Sequence, residues 1–269
     1  MGQGHIDLER LWRLWVTGTS FMLFGLGGLV LGLLVIPLLL LMPGGAVRRR
    51  NRIRALVQHS FRLFVEYMHG LRGLSYEIHG HERLGRPGQL VIANHPTLID
   101  VVLIIAFTPI PGCVVKATLF RNPYMRLVLR AAGYIPNAPT DTMIERAGAA
   151  LQDGECLVMF PEGTRSRPGE PMVFNRGTAA VAIRAARVLT PVYIRCEPIF
   201  LTKGTPWYRI PSRRPQLTVE VGADIDLSDY RDMPPPKASR QLNAWLLAHY
   251  TQRLAAARGY NGTRREREA

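Results

Sequence analysis

Residues 91–100 read Val-Ile-Ala-Asn-His-Pro-Thr-Leu-Ile-Asp, a polar cluster of Asn94, His95 and Asp100 set between two aliphatic runs. Leu90 to Ala93 reads as a short buried strand and Leu98 to Phe107 as a helix. Pro96 decides how they join. It disfavours the α conformation for the residue before it, which keeps His95 extended, while its own fixed φ suits the opening of a helix. In one continuous helix, residues five apart point roughly 140° away from each other. With His95 outside the helix and Asp100 in its first turns, the two side chains can turn toward each other.

Working outward, the same alternation recurs. Ser75 to His79, Cys113 to Lys116, Cys156 to Phe160, Val192 to Cys196 and Leu217 to Val221 read as strands, and Tyr124 to Ala132, Thr142 to Gln152 and Thr178 to Arg187 as helices. Strands alternating with helices predict an α/β layered domain with a mainly parallel sheet flanked by helices. Pro211 to Pro215 and Pro234 to Pro236 read as breaks in regular structure. A helix over Lys237 to Arg258 and a charged tail over Asn261 to Ala269 are expected to follow.

The N-terminal part is different in kind. No charged residue occurs from Leu14 to Val47, and Phe21 to Met42 is almost wholly aliphatic. That is about the 20 residues a bilayer-spanning helix needs, and longer than the apolar core of a cleaved signal peptide. Pro43-Gly44-Gly45 and then Arg48, Arg49, Arg50, Arg52 and Arg54 end the run as a stop-transfer sequence would. These arginines outweigh Arg10 and Arg13 ahead of the segment, which predicts an inner-membrane protein with its body on the cytoplasmic side. Pro37 and the glycines at 25, 27, 28 and 32 also admit a re-entrant or shallow two-helix anchor, and the Gly28-x-x-x-Gly32 spacing reads as composition bias rather than a dimer face. Arg54 to Gly70 reads as an amphipathic helix, lying on the membrane or packed on the body.

The net charge of +14 fits either nucleic acid or an anionic lipid surface. Arginines placed directly after an apolar segment favour lipid, and no nucleic-acid-binding signature accompanies them. Cys113, Cys156 and Cys196 are too few and too scattered for a disulfide framework or a zinc site. His79 and His81 lack a third ligand nearby, so no metal and no resident cofactor is expected.

In a His–Asp pair, the carboxylate can hold one imidazole nitrogen protonated and leave the other free to accept a proton. No Gly-x-Ser-x-Gly elbow supplies a nucleophile, so the pair reads as a general base. A second informative stretch, Phe160-Pro161-Glu162-Gly163-Thr164-Arg165-Ser166-Arg167, directly follows an apolar strand. Gly163 allows close backbone approach, Thr164 and Ser166 offer hydroxyls, and Arg165 and Arg167 present donors shaped for phosphate.

At these residues the chain resembles the glycerolipid and lysophospholipid acyltransferase family. Asn94-His95 with Asp100 is similar to its first motif, Asn-His-x-x-x-x-Asp, and Phe160 to Arg165 to its third, Phe-Pro-Glu-Gly-Thr-Arg. Thr190 to Ile194 resembles a fourth block, whose Pro (here Pro191) helps line the acyl site. Lys116 stands where members often carry a Lys, and Asn175 where Phe-Lys-x-Gly would have its Lys. Gly133 to Asn137 occupies the place of a block whose Arg helps bind the acceptor's phosphate, and that Arg is absent.

The resemblance implies an acyltransferase-type domain in which His95 and Asp100 are catalytic. Asn94, Lys116, Glu162, Gly163, Thr164, Arg165, Arg167 and Pro191 would bind substrate. The implied reaction moves an acyl group from acyl carrier protein or coenzyme A to the hydroxyl of 1-acylglycerol 3-phosphate, forming phosphatidic acid. Another lysolipid acceptor, a hydrolase acting with water, and a catalytically inert membrane-binding module are the competing expectations. The implied organisation is a membrane anchor over 1–47, a basic amphipathic helix over 48–74, a catalytic domain over 75–232, and a C-terminal helix and tail over 233–269.

Overall fold

The computed structural model describes residues 7–268, with side chains through residue 256. The side chains of the charged tail therefore lie outside the described residues. Seven strands form one sheet: β1 (Ser75–His79), β2 (Gln89–Ala93), β3 (Gly112–Val115), β4 (Ile135–Pro136), β5 (Leu157–Met159), β6 (Val188–Glu197) and β7 (Gln216–Val221), in the order β1-β7-β6-β2-β5-β3-β4. Every neighbouring pair is parallel except β6 and β7. The central strands β2 and β5 are buried at every position, as strands covered on both faces must be. β4 is a two-residue edge strand with too short an apolar run to be read from sequence. β6 is longer than expected because its first half pairs with β2 and its second half with β7.

Nine α-helices cover the sheet: α1 (Leu8–Val30), α2 (Ile36–Leu41), α3 (Ala46–Gly70), α4 (Asp100–Phe107), α5 (Pro123–Ala131), α6 (Thr140–Gln152), α7 (Arg176–Ala185), α8 (Ser228–Arg231) and α9 (Pro235–Glu268), counted among the described residues. They divide into two layers. The first four, with α5, enclose a core on one face with Val91, Ala93, Val158, Val192 and Val219. On the other face α6, α7 and α9 pack over Leu90, Ile92, Leu157, Met159 and Tyr193. Alternate residues of β2 thus serve opposite cores, the period of two that a pleated strand imposes. The prolines at 234–236 were expected to break structure, but Pro235 opens α9, where a missing N–H costs nothing.

The apolar helix begins well before Phe21. From Leu8 to Leu41 it runs for 34 residues and is long and apolar enough to cross a membrane. Pro37 cannot donate to the turn before it, and the helix widens there into a π turn over Leu31–Val35, in which the Ile36 N–H reaches back to Leu31 O. Val16, Thr17 and Ser20 are buried on the body, whereas Leu23, Leu26, Leu33, Leu34 and Leu38 are exposed. Gly28 and Gly32 face Tyr124 O at 3.8 and 3.7 Å measured from an added Cβ, so the GxxxG spacing serves a close contact with α5 within the chain.

Arg54 was expected on an amphipathic helix, and α3 packs on the body through it. Only 2% of the Arg54 side chain is exposed; Nε donates to Ala132 O at 2.7 Å and Nη1 to Glu155 Oε2 at 2.7 Å, with Arg50 pairing the same carboxylate. Removing Arg54 leaves the buried Glu155 carboxylate with Arg50 alone and Ala132 O without its donor, so Arg54→Ala is expected to lower the unfolding free energy by about 3 kcal/mol. Denaturant titration in detergent checks this, and a loss under about 1 kcal/mol would mean the network does not hold α3 to the sheet.

Candidate active site

Strand β2 ends at Ala93, at the centre of the sheet, and β5 ends beside it at Met159. The loops leaving their carboxyl ends are therefore neighbours, the position at which open parallel sheets bind ligands. The first loop carries His95. Its ring Nδ1 lies 2.8 Å from Asp100 Oδ2, which sits in the first turn of α4. Asp100 is fully buried, and it also accepts the Thr97 N–H and the Thr97 hydroxyl, each at 2.6 Å. An ionised carboxylate only accepts, so Nδ1 carries the proton and Nε2 is left with a free lone pair.

The second loop holds the first in place. Glu162 accepts the His95 backbone N–H at 2.8 Å through Oε1 and the Ser166 hydroxyl at 2.6 Å through Oε2. The Ser166 N–H in turn donates to His95 O at 2.8 Å. Burial pushes the Glu162 carboxyl above its usual range, against the Ser166 and His95 donors that pull it down. Glu162 therefore positions the histidine and does not face the substrate space. The Phe160 ring packs 4.7 Å from the imidazole. Gly163 takes φ +65°, and a Cβ there would meet Asn175 Nδ2 at 2.9 Å, so another residue would strain the turn and displace the Asn175 amide.

His95 opens onto a cavity of about 570 Å³. Its apolar lining comes from the N-terminal helices and α4, including Phe21, Phe24, Phe61, Phe64, Val102 and Ile105; its polar lining includes Lys116, Asn137, Gly163, Thr164, Arg165, Asn175 and Thr178. Arg165 is steadied by donating to Leu201 O and Thr202 O at 3.0 and 3.2 Å. Asn175 Nδ2 donates to Pro161 O and Glu162 O, both at 3.1 Å, and Asn137 Oδ1 accepts from the Ala117 N–H at 3.0 Å, next to Lys116.

Of the residues expected to bind substrate, four lie elsewhere. Asn94 is buried and spends its amide on both backbone groups of Ile194, at 2.8 Å each, which ties β2 to β6. Pro191 is buried within β6 opposite Ile92. Arg167 is exposed and pairs with Glu170 at 3.1 Å. Glu162 stands behind His95, as described. Asn137, Thr140 and Thr178, which line the cavity, carry no sequence signal beyond their place in the chain. Among the described residues, no group of three or more His, Cys, Asp or Glu could hold a metal ion.

The profile of the family described as "Acyltransferase" matches residues 75–195, which include both loops and all of β2 to β5. Over this segment the chain is similar to that family. Sequence relatives agree. The chain is 28% identical over 131 residues to a 1-acyl-sn-glycerol-3-phosphate acyltransferase of Borreliella burgdorferi, covering 45% of this chain and 52% of that one. It is 23% identical over 207 residues to a protein of the same name from Pseudomonas aeruginosa, covering 73% and 77%. The chain spans little more than half the length of the first relatives it matches, 52% to 58%. The crystal structure of a 1-acyl-sn-glycerophosphate (LPA) acyltransferase from Thermotoga maritima superposes with a TM-score of 0.71 over 93% of this chain and 98% of that one. At 18% identity that likeness establishes the shared fold, and the fold extends beyond residues 75–195 to the N-terminal helices.

Glu162→Ala removes the acceptor of the His95 amide and frees the loop that carries His95. It is expected to lower kcat about 10-fold to 100-fold with the protein still folded, because a misplacement of about 1 Å has that cost. An unchanged kcat would show that Glu162 does not position His95.

Proposed function

We propose that this protein transfers an acyl group from a thioester, acyl carrier protein or acyl-coenzyme A, to the free hydroxyl of 1-acylglycerol 3-phosphate, producing phosphatidic acid at a membrane surface. The carrying observation is the His95–Asp100 pair at 2.8 Å opening onto a cavity with a largely apolar wall and two cationic groups, Lys116 and Arg165. In this reading His95 Nε2 takes the acceptor's hydroxyl proton as that oxygen attacks the thioester carbonyl. The tetrahedral intermediate then expels the thiolate, which recovers the proton from the imidazolium. One ester bond forms, one thioester bond breaks, and the base is regenerated without an acyl-enzyme. Asp100 keeps the tautomer correct and supports the transient positive charge.

The apolar cavity suits an acyl chain, and Lys116 and Arg165 suit an anionic head group. The exposed leucines of α1 and α2, followed by Arg48 and Arg49 at the start of α3, fit a lipid surface, with apolar contact to the chains and charge to the head groups. The body would then stand on the cytoplasmic side of the inner membrane. Lipid, the lysolipid acceptor and the thioester donor are the partners of this reading; it needs neither a metal nor a resident cofactor, and no nucleic acid. A second acceptor class is favoured by one observation: Asn137, Thr140, Asn175 and Thr178 give the polar lining neutral groups beside its two cations. A lysolipid with a larger or less charged head group would use them.

Purified protein given a thioester and 1-acylglycerol 3-phosphate is expected to release free thiol only when acceptor is present, and His95→Ala to lower that rate roughly 100-fold to 10,000-fold. Thiol release without acceptor would instead mark a hydrolase, and a fully active His95→Ala protein would refute the mechanism. Lys116→Ala is expected to raise the acceptor KM about 10-fold, by loss of a charged partner. Expression in a strain lacking its phosphatidic-acid-forming enzyme separates the acceptors: growth supports 1-acylglycerol 3-phosphate, and failure by a well-expressed protein supports the second class.

A further inference from the structure

The loop between β6 and β7 carries an aromatic tip that the acyl-transfer chemistry does not use. Residues 198–215 hold four basic side chains and no acidic one. Within them Trp207 and Tyr208 are 45% and 61% exposed, and Arg209 and Arg213 are exposed as well. Turns hold the tip in this shape. The Thr202 and Thr205 hydroxyls bond at 2.7 Å, and the Arg209 and Ile210 N–H groups donate to Pro206 O and Tyr208 O at 3.1 and 3.0 Å. Two adjacent rings left in water forgo the free energy of burial, whereas Trp and Tyr, apolar in body and polar at one end, suit the boundary between lipid and water.

The loop is fastened to α1. Arg10 Nε donates to Ile210 O at 3.1 Å, and the buried Arg13 side chain donates to Pro211 O and Ser212 O. The Trp207 ring packs 5.8 Å from that of Phe21, and a Cβ on Gly18 would lie 3.5 Å from the indole. On α1, Leu8, Trp12, Trp15, Met22, Leu26 and Val30 are exposed at spacings that form one apolar stripe. A helix turns about 100° per residue, so Gly18 and Phe21 lie beside that stripe, about 60° and 120° round from Trp15. The loop therefore extends the stripe sideways. At its other end it reaches the cavity: Leu201 lines the wall, and Leu201 O accepts the Leu98 N–H at 3.1 Å as well as Arg165.

We propose that the β6–β7 loop is a second membrane-contacting element, which seats Trp207 and Tyr208 at the lipid surface beside α1. The inference rests on the membrane-surface part of the reading above and adds a contact that lies far from α1 in sequence. The occupant is an anionic bilayer, because the rings are continuous with the apolar stripe of α1 and the loop's charge is wholly positive. One helix alone leaves the body free to roll about its axis. A contact on the flank of α1 removes that freedom, and because the same loop bonds Arg165 and Leu98, it turns the cavity rim toward the head groups.

The chain has four tryptophans, so full-length proteins that keep one each, with Phe at the other three, report lipid contact residue by residue. The probe is a vesicle of phosphatidylglycerol and phosphatidylcholine with bromine on the acyl chains, which quenches fluorescence on contact. Trp15 and Trp207 are expected to be quenched, and Trp245, on α9 across the sheet, to keep its emission. Tyr208→Glu in the otherwise unaltered protein is expected to weaken vesicle binding about threefold to 10-fold, the worth of partly burying one ring, with an unchanged melting temperature because that ring is exposed. The proposal is overturned if Trp15 is quenched and Trp207 is not, or if Trp207 and Trp245 are quenched alike. It is also overturned if Tyr208→Glu leaves vesicle binding unchanged, or alters the oligomeric mass in detergent instead, which marks a contact between copies. Quenching of Trp15 alone leaves acyl transfer at a membrane standing, whereas quenching of neither overturns the membrane-surface reading as well.

Discussion

The carboxylate of Asp100 is buried and held by three donors, two from Thr97 and one from His95. A buried carboxylate is tolerated only when its lone pairs are met, and here the donors come from a turn three to five residues long. That requirement fixes the turn, and the turn fixes the histidine. Pro96 keeps His95 out of α4, so the imidazole swings back to the helix's first residue. Glu162 and Ser166 then tie the His95 backbone to the loop after β5. His95 is held from its ring on one side and from its amide on the other.

The two layers divide the work around this point. The sheet and the α6, α7 and α9 layer form a closed core that supports β2 and β5 from behind. The other layer is incomplete, because between α1, α3, α4 and the sheet it leaves a cavity into which His95 faces. α1 contributes both to this wall and to an exposed apolar surface, so one helix meets the contents of the cavity and whatever covers its outer side. Arg54, bonded to Ala132 O and Glu155, holds α3 and with it the far wall against the sheet. The shape of the cavity thus depends on an ion pair remote from His95.

What could be read from sequence was what local chemistry determines. The strand–Pro–helix join gave the His95–Asp100 meeting, the alternation of strands and helices gave the layered sheet, and the Phe160 to Arg165 stretch gave the second loop. The roles of single polar residues were less legible, because burial and partner are long-range properties. Asn94 stands beside His95 in sequence, but Ile194, 100 residues away, consumes its amide. Glu162 has the chemistry of a ligand-binding group, yet it accepts from a backbone amide 67 residues earlier. Pro191 lies inside a strand because the register of β6 against β2 places it opposite Ile92, and no local pattern fixes register. Arg54 reads as one more basic residue after an apolar segment until Glu155 is found beside it.

The central claim is that Asp100 holds His95 as the tautomer with its proton on Nδ1 and a free Nε2. The direct measurement is ¹⁵N NMR of protein labelled at histidine nitrogens, with His95 identified by its loss in a His95 substitution. The account predicts, for the neutral imidazole, a protonated Nδ1 and an unprotonated Nε2 for this residue, and loss of that pattern in Asp100→Ala. A neutral His95 with its proton on Nε2, or a pattern unchanged without Asp100, would contradict it.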